Sequence, residues 1–210
     1  MDRFFDNNNP VMQFLGRIVD LAIVNLMTIA CMIPVVTAGA ALSAMNNVLI
    51  HLFRKDETYV WKMYIRSFRQ NLKQGMALGL LYLGVGILIV VELLMLRGLD
   101  SPAATVMMIV LTVLGICIFV TGVYAFALQS RYENTVKGTL KNAAGLALSH
   151  PGRSLGMVAI WAAWAVLLWY IHGIALLVFV IYGLSLPAFL CTMIYDPIFQ
   201  KMEADNEQET

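Results

Sequence analysis

A chain of 210 residues that is 60% hydrophobic and only 13% charged, with a mean hydropathy of +0.76, is not an ordinary soluble domain. Such domains are nearer half apolar and about a quarter charged, and one core of this size has no room for the surplus apolar surface. Lipid must cover the remainder; the formal net charge of +1 says little, because distribution and not the sum carries information in a membrane protein.

The first residues do not read as a cleavable leader. Two acidic residues precede Arg17 and no small-x-small site follows, so the first apolar run is expected to be retained. That run is Ile18–Val36, with Asp20 and Asn25 near its start. A spanning helix needs about 20 mostly apolar residues for a hydrocarbon core of roughly 30 Å. Four later runs answer to that: Gly75–Leu96, Ala103–Leu128, Ser154–Ile171 and Gly173–Ile194. The last two are separated by little more than His172-Gly173 and predict a tight helical hairpin. Thr37–Phe53 is ambiguous. It follows Pro34, which bends or ends helices, and its small residues (Ala38, Gly39, Ala40, Ala41, Ser43, Ala44) suit close helix contact. Asn46, Asn47 and His51 make it less apolar than the other runs. It reads either as a sixth, short, protein-buried span or as an amphipathic or re-entrant segment.

Charge placement bears on that choice. Arg54, Lys55, Lys62, Arg66, Arg69 and Lys73 fill one hydrophilic stretch, and Arg131, Lys137, Lys141 and Arg153 fill another. The positive-inside rule puts both in the cytoplasm and Arg97 outside. Alternation then places the C-terminal residues inside, with the acidic tail at 197–210 (Glu203, Asp205, Glu207, Glu209). If Thr37–Phe53 crosses, the N-terminus with Arg3 and Arg17 is cytoplasmic too. If it does not, both of those basic residues fall outside. Six spans keep more basic charge inside and are the preferred reading. The stretches Arg66–Lys73 and Leu146–Arg153 each lead into an outward span and its return, an approximate duplicated hairpin that agrees with six. The expected fold is all-α: one transmembrane domain over residues 1–210, a polytopic helical bundle with two basic amphipathic cytoplasmic segments.

Few residues invite chemistry. Over Thr58–Leu72, the side chains of Trp61, Ile65, Phe68 and Leu72 fall on one helical face and Lys62, Arg66, Arg69 and Lys73 on another. Such a helix rests its aromatics at the headgroups and its cations on anionic lipid, or docks a cytoplasmic partner along its polar face. In the second segment, Tyr132–Ser149, Lys137 and Lys141 lie opposite an apolar side. The docking candidates are Trp61, Lys62, Arg66, Phe68, Arg69, Asn71, Lys73, Lys137 and Lys141. The intramembrane polar candidates are Asp20, Asn25, Asn46, Asn47 and Glu92. Asp20 reads as a helix-start acid paired with Arg17 three residues before it, and Glu92 as an interfacial charge. Cys31, Cys117 and Cys191 read as small hydrophobes. No zinc spacing, Walker A sequence, His-Glu-x-x-His or Gly-x-Ser-x-Gly elbow is present, so neither an enzyme nor a cofactor nor nucleic-acid binding is expected.

Phe4-Phe5, the Leu21–Asn25 region, Pro34-Val35-Val36-Thr37-Ala38-Gly39-Ala40 and Ser67-Phe68-Arg69-Gln70-Asn71-Leu72-Lys73-Gln74 resemble the YesL-like family of bacterial membrane proteins. Where many relatives have Thr-Ile-Gly, this chain has Thr37-Ala38-Gly39. The resemblance implies a multi-pass protein of the bacterial cytoplasmic membrane, linked with carbohydrate-uptake ABC systems. Its implied role is an accessory or regulatory subunit meeting sugar permease subunits. The alternatives are a sensor or scaffold partnering a histidine kinase, and a self-sufficient oligomeric transporter, which a polar cavity lined by Asn25, Asn46 and Asn47 would favour.

Overall fold

A computed structural model describes residues 10–54, 59–99, 101–132 and 135–208. Phe4-Phe5, Arg3, Lys55 and Glu209 lie outside them, as do the side chains of Asp205 and Glu207. Among the described residues the chain is all-α, with no strand. In order the helices are α1 (Pro10–Met32), α2 (Ala38–Arg54), α3 (Val60–Gln70), α4 (Leu72–Leu96), α5 (Pro102–Arg131), α6 (Val136–Ser149), α7 (Pro151–Tyr170), α8 (Ala175–Tyr182) and α9 (Ser185–Gln208).

Local chemistry explains the boundaries. Pro34 ends α1, and a 3-10 turn (Val35–Thr37) follows, tied by the Thr37 hydroxyl donating to the carbonyls of Cys31 (2.6 Å) and Pro34 (2.7 Å). Pro102 and Pro151 open α5 and α7, where a missing N–H costs nothing. Thr135 caps α6 by accepting from the Gly138 amide at 3.2 Å. Leu, Val and Ile side chains stand bare along the outer faces of α1, α4, α5, α7 and α8. Those faces belong against lipid.

By length and composition, six segments of the described residues qualify as spans: Phe14–Met32, Val35–Arg54, Leu72–Leu96, Pro102–Arg131, Pro151–Tyr170, and α8 with α9 to Ala204, a pair bent by 49°. Packing sets α2 apart. Its stretch is 56% buried, against 11–22% for the other four single helices. More decisive is where its ends lie. α4 and α5 run antiparallel, with Gln74 bonded to Gln129 at one end and Ile89 against Gly115 further along. Gly39, at the start of α2, packs on the backbone of Gly75 and Gly79. Arg54, at its end, shares Glu203 with Arg131, two residues beyond Gln129. Asn47, between them, donates to the carbonyl of Ser130 at 2.8 Å. Both ends of α2 therefore lie at the end of the bundle where α4 starts and α5 stops. The helix, about 25 Å long, lies across the bundle instead of along it.

α1 reaches that crossing from the opposite end. Its Asn25 sits at the α8–α9 break, level with Gly183, which accepts from Trp164 near the far end of α7. Two turns later the chain is at Thr37 and the Gly39 crossing. The first turns of α1 thus lie at the opposite end of the bundle from Glu203. By length and composition Thr37–Phe53 still qualifies as one of up to six spans, as in the preferred sequence reading, and what sets α2 apart is its burial and its transverse packing. The small residues that suit a buried helix let α2 wedge between its neighbours.

Candidate functional site

The polar end of the bundle, where α2, α5 and α9 finish and α3 and α6 lie, gathers most of the residues that sequence singled out. α3 docks by the face Val60, Tyr64 and Ser67, all buried. Tyr64 is fully buried against α1 and α2, its ring stacked on Phe68 at 6.5 Å and its hydroxyl 3.4 Å from the Ala41 carbonyl. The expected apolar face is rotated by about one residue: Trp61 is 52% exposed and Ile65 37%, while Phe68 and Leu72 are half-buried. α3 is therefore fixed to protein along one face and free along two. Lys62, Arg66, Arg69 and Lys73 remain exposed, with the Lys62 Nζ 4.9 Å from the Tyr59 ring.

Where α3 meets α4, Asn71 donates to the Ser67 carbonyl at 3.0 Å. Here a recess of about 590 Å³ opens between α3–α4 and the end of α5, lined by Arg69, Asn71, Lys73, Gln129, Arg131 and Tyr132 among others. Gln129, nearly fully buried, donates to Gln74 Oε1 at 2.7 Å and accepts from the Thr139 hydroxyl at 3.3 Å, so it ties α4, α5 and α6 together. Burial pushes the Tyr132 phenol above its ordinary pKa and keeps it neutral. With Arg69 and Lys73 making no ion pair among the described residues, the recess presents cations and amides suited to a carboxylate or phosphate. Lys137 and Lys141 are exposed on α6, which packs on α5 through Thr139 and Ala143.

Beside the recess lies an ion-pair cluster that sequence reading missed. Asp196 is fully buried in α9 and meets Arg54 at 2.8 Å; Gln200 also donates to it at 2.6 Å. Glu203 bridges Arg54 at 3.0 Å and Arg131 at 2.6 Å. Asp196, Gln200 and Glu203 are spaced i, i+4 and i+7, one stripe of a helix. That spacing was readable. Their basic partners lie on two other helices and were not.

The intramembrane candidates are dispersed. Fully buried Asn25 donates to the carbonyls of Phe179 and Val180 and accepts from the amides of Leu184 and Ser185. It satisfies the backbone freed by the broken span. Asn46 donates to Leu42 O and accepts from the Tyr195 hydroxyl at 2.9 Å. Asn47 is spent on Ser130. The three bond to separate partners: the α8–α9 break, Leu42 with Tyr195, and Ser130. Asp20 is half-buried and makes no ion pair with Arg17 among the described residues, and Glu92 is exposed near the far end of α4. No group of three His, Cys, Asp or Glu side chains among the described residues could hold a metal ion.

Residues 21–93 match the sequence model of a family described as "Protein of unknown function, DUF624". No curated protein and no solved structure matches the chain. The matched stretch contains the strings Pro34–Ala40 and Ser67–Gln74, and they meet in space: Gly39 of the first packs on Gly75, the residue that follows the second. Over residues 21–93 the chain is thus similar to the family in which YesL-like proteins fall.

Proposed function

We propose that this is a non-enzymatic membrane protein of the bacterial cytoplasmic membrane, acting as an accessory or regulatory subunit of a carbohydrate ABC import system. Its polar end faces the cytoplasm: the basic residues of α3, α6 and the ends of α2, α5 and α9 gather there, with Arg97 at the other end. The observation that carries the reading is α3 itself. A helix pinned by Val60, Tyr64 and Ser67 holds Lys62, Arg66 and Arg69 in a fixed array beside the cationic recess, so an acidic partner surface meets a preorganised one. A helix held only by lipid would not need a fully buried Tyr64.

The test is a gentle-detergent pulldown of the tagged chain from its native membrane, beside a variant carrying Arg66→Glu, Arg69→Glu and Lys73→Glu. Stoichiometric sugar-permease subunits, lost in the variant, are the expected result. Recovery of a histidine kinase instead would move the reading to a sensor or scaffold. Recovery of the chain alone would sink both. A discrete oligomer of the chain alone would move the reading to a self-sufficient transporter, tested by transport assays in liposomes.

A further inference from the structure

Between α2, α4, α5, α7 and α9 lies a cavity of about 420 Å³. Leu42, Met45 and Asn46 of the transverse helix α2 line one end of it. Tyr82, Gly86, Ile89 and Val90 of α4 face Gly115, Phe119, Gly122 and Phe126 of α5 across its length. Trp161 of α7 lines it as well, edge-on to Phe119 at 5.7 Å.

Three features define what fits. The lining is almost wholly apolar, and its one amide, Asn46, is already spent on Leu42 and Tyr195. Water needs two to four polar partners, and beyond Asn46 the lining side chains carry only the Trp161 Nε1–H, which has no partner among the described residues, and the Tyr82 hydroxyl. A dry apolar cavity of roughly 150 Å³ already binds benzene, and this one is larger. The shape is a slot: from Tyr82 to Val90 the lining follows α4 for about 12 Å at 1.5 Å per residue. A slot along a spanning helix runs as lipid chains run in a bilayer. Finally, Val90 is 55% exposed and Phe119 41%, so two lining residues also belong to the bare outer face of the α4–α5 hairpin. The slot is continuous there with the surface that lipid covers. Glycine makes the room: a Cβ on Gly86 would meet nothing within 4 Å, and one on Gly115 would meet only Ile89 at 3.7 Å.

We propose that this slot is a binding site for one acyl chain of a membrane lipid, taken up sideways past Val90 and Phe119 and stopped by α2. It does not depend on the partner proposed above.

Two glycines on α4 provide the test. Gly86→Leu projects into the slot. Gly84→Leu makes the same change of helix propensity on an exposed position that does not line it, and it too has nothing within 4 Å. Lipid retained by the delipidated full chain is counted by native mass spectrometry, and tryptophan quenching is read in phosphatidylglycerol–phosphatidylcholine vesicles with brominated acyl chains. The expected result is one retained lipid in the wild type and in Gly84→Leu, lost in Gly86→Leu. Bromine quenching should fall in parallel, and Trp161→Phe should remove the component that Gly86→Leu abolishes. If Gly86→Leu does not fold, Gly86→Ala and Gly115→Ala give a graded filling that should weaken retention stepwise. Equal retention in both leucine variants would overturn the proposal, as would a lipid-free chain, or a dimer whose Trp161 is shielded by the second copy.

Discussion

Replacing Arg54 by Met tests the least visible part of the fold, the cluster that anchors the end of α2. The Arg54 side chain is 18% exposed and Asp196 is fully buried. Losing the guanidinium leaves Asp196 with only Gln200 as a side-chain partner and leaves Glu203 with Arg131 alone. Stranding one member of a buried pair costs about 3–5 kcal/mol, mostly the desolvation of the charge left behind. At roughly 2–4 °C per kcal/mol for a chain of this size, the melting midpoint should fall by about 6–20 °C. Arg54→Met with Asp196→Leu removes both charges and should recover a large part of that loss, because the desolvation penalty disappears with its cause. Arg131→Met should cost less, since Glu203 is 30% exposed and keeps Arg54. The assay is thermal unfolding of the purified chain in mild detergent, with wild type, Arg54→Met, Asp196→Leu, their double variant and Arg131→Met compared at one concentration. A single Arg54 variant within a degree or two of wild type would refute the reasoning, as would a double variant that loses the sum of both singles.

Two further outcomes follow from the placement of α2. With Cys31, Cys117 and Cys191 replaced by Ala, single cysteines at Gly16 and Lys201 should react with a membrane-impermeant maleimide from opposite sides of the membrane if transverse α2 does not cross; labelling from one side would make α2 the sixth crossing helix. Gly39→Ala should loosen or misassemble the bundle, because its Cβ would overlap the Gly75 carbonyl and lie 2.7 Å from Gly79 Cα, backbone atoms that cannot rotate away. Overpacking of this kind costs about 1–3 kcal/mol or more, read as a lower melting midpoint, whereas Gly16→Ala, with open space around it, should be neutral.

The sequence by itself determined the class and most of the helices, because each lipid-facing run carries its own signal. A stretch such as Gly75–Leu96 must be a helix in hydrocarbon whatever surrounds it, since every backbone N–H and C=O must be satisfied within the segment. The amphipathic character of α3 was equally local, and so was the gathering of basic residues near the ends of the runs. The docked face of α3 was not. Trp61 and Ile65 outweigh Tyr64 and Ser67 in hydrophobicity, yet Tyr64 is the fully buried residue, because α1 and α2 provide a space that fits its ring.

Tertiary structure decided the rest. Length and composition allow Thr37–Phe53 to cross, and only contacts with remote parts of the chain turn it sideways: Gly39 on Gly75 and Gly79, Asn47 on Ser130, Arg54 on Asp196 and Glu203. None of these pairs has a signature within one window of sequence. The same holds for Asn25, whose four partners lie more than 150 residues away. It holds also for the slot above α2, which exists because glycines on α4 and α5 face each other. Helix formation in a membrane is a property of each segment, whereas the direction a buried helix takes is a property of the neighbours that satisfy its polar groups and accept its shape.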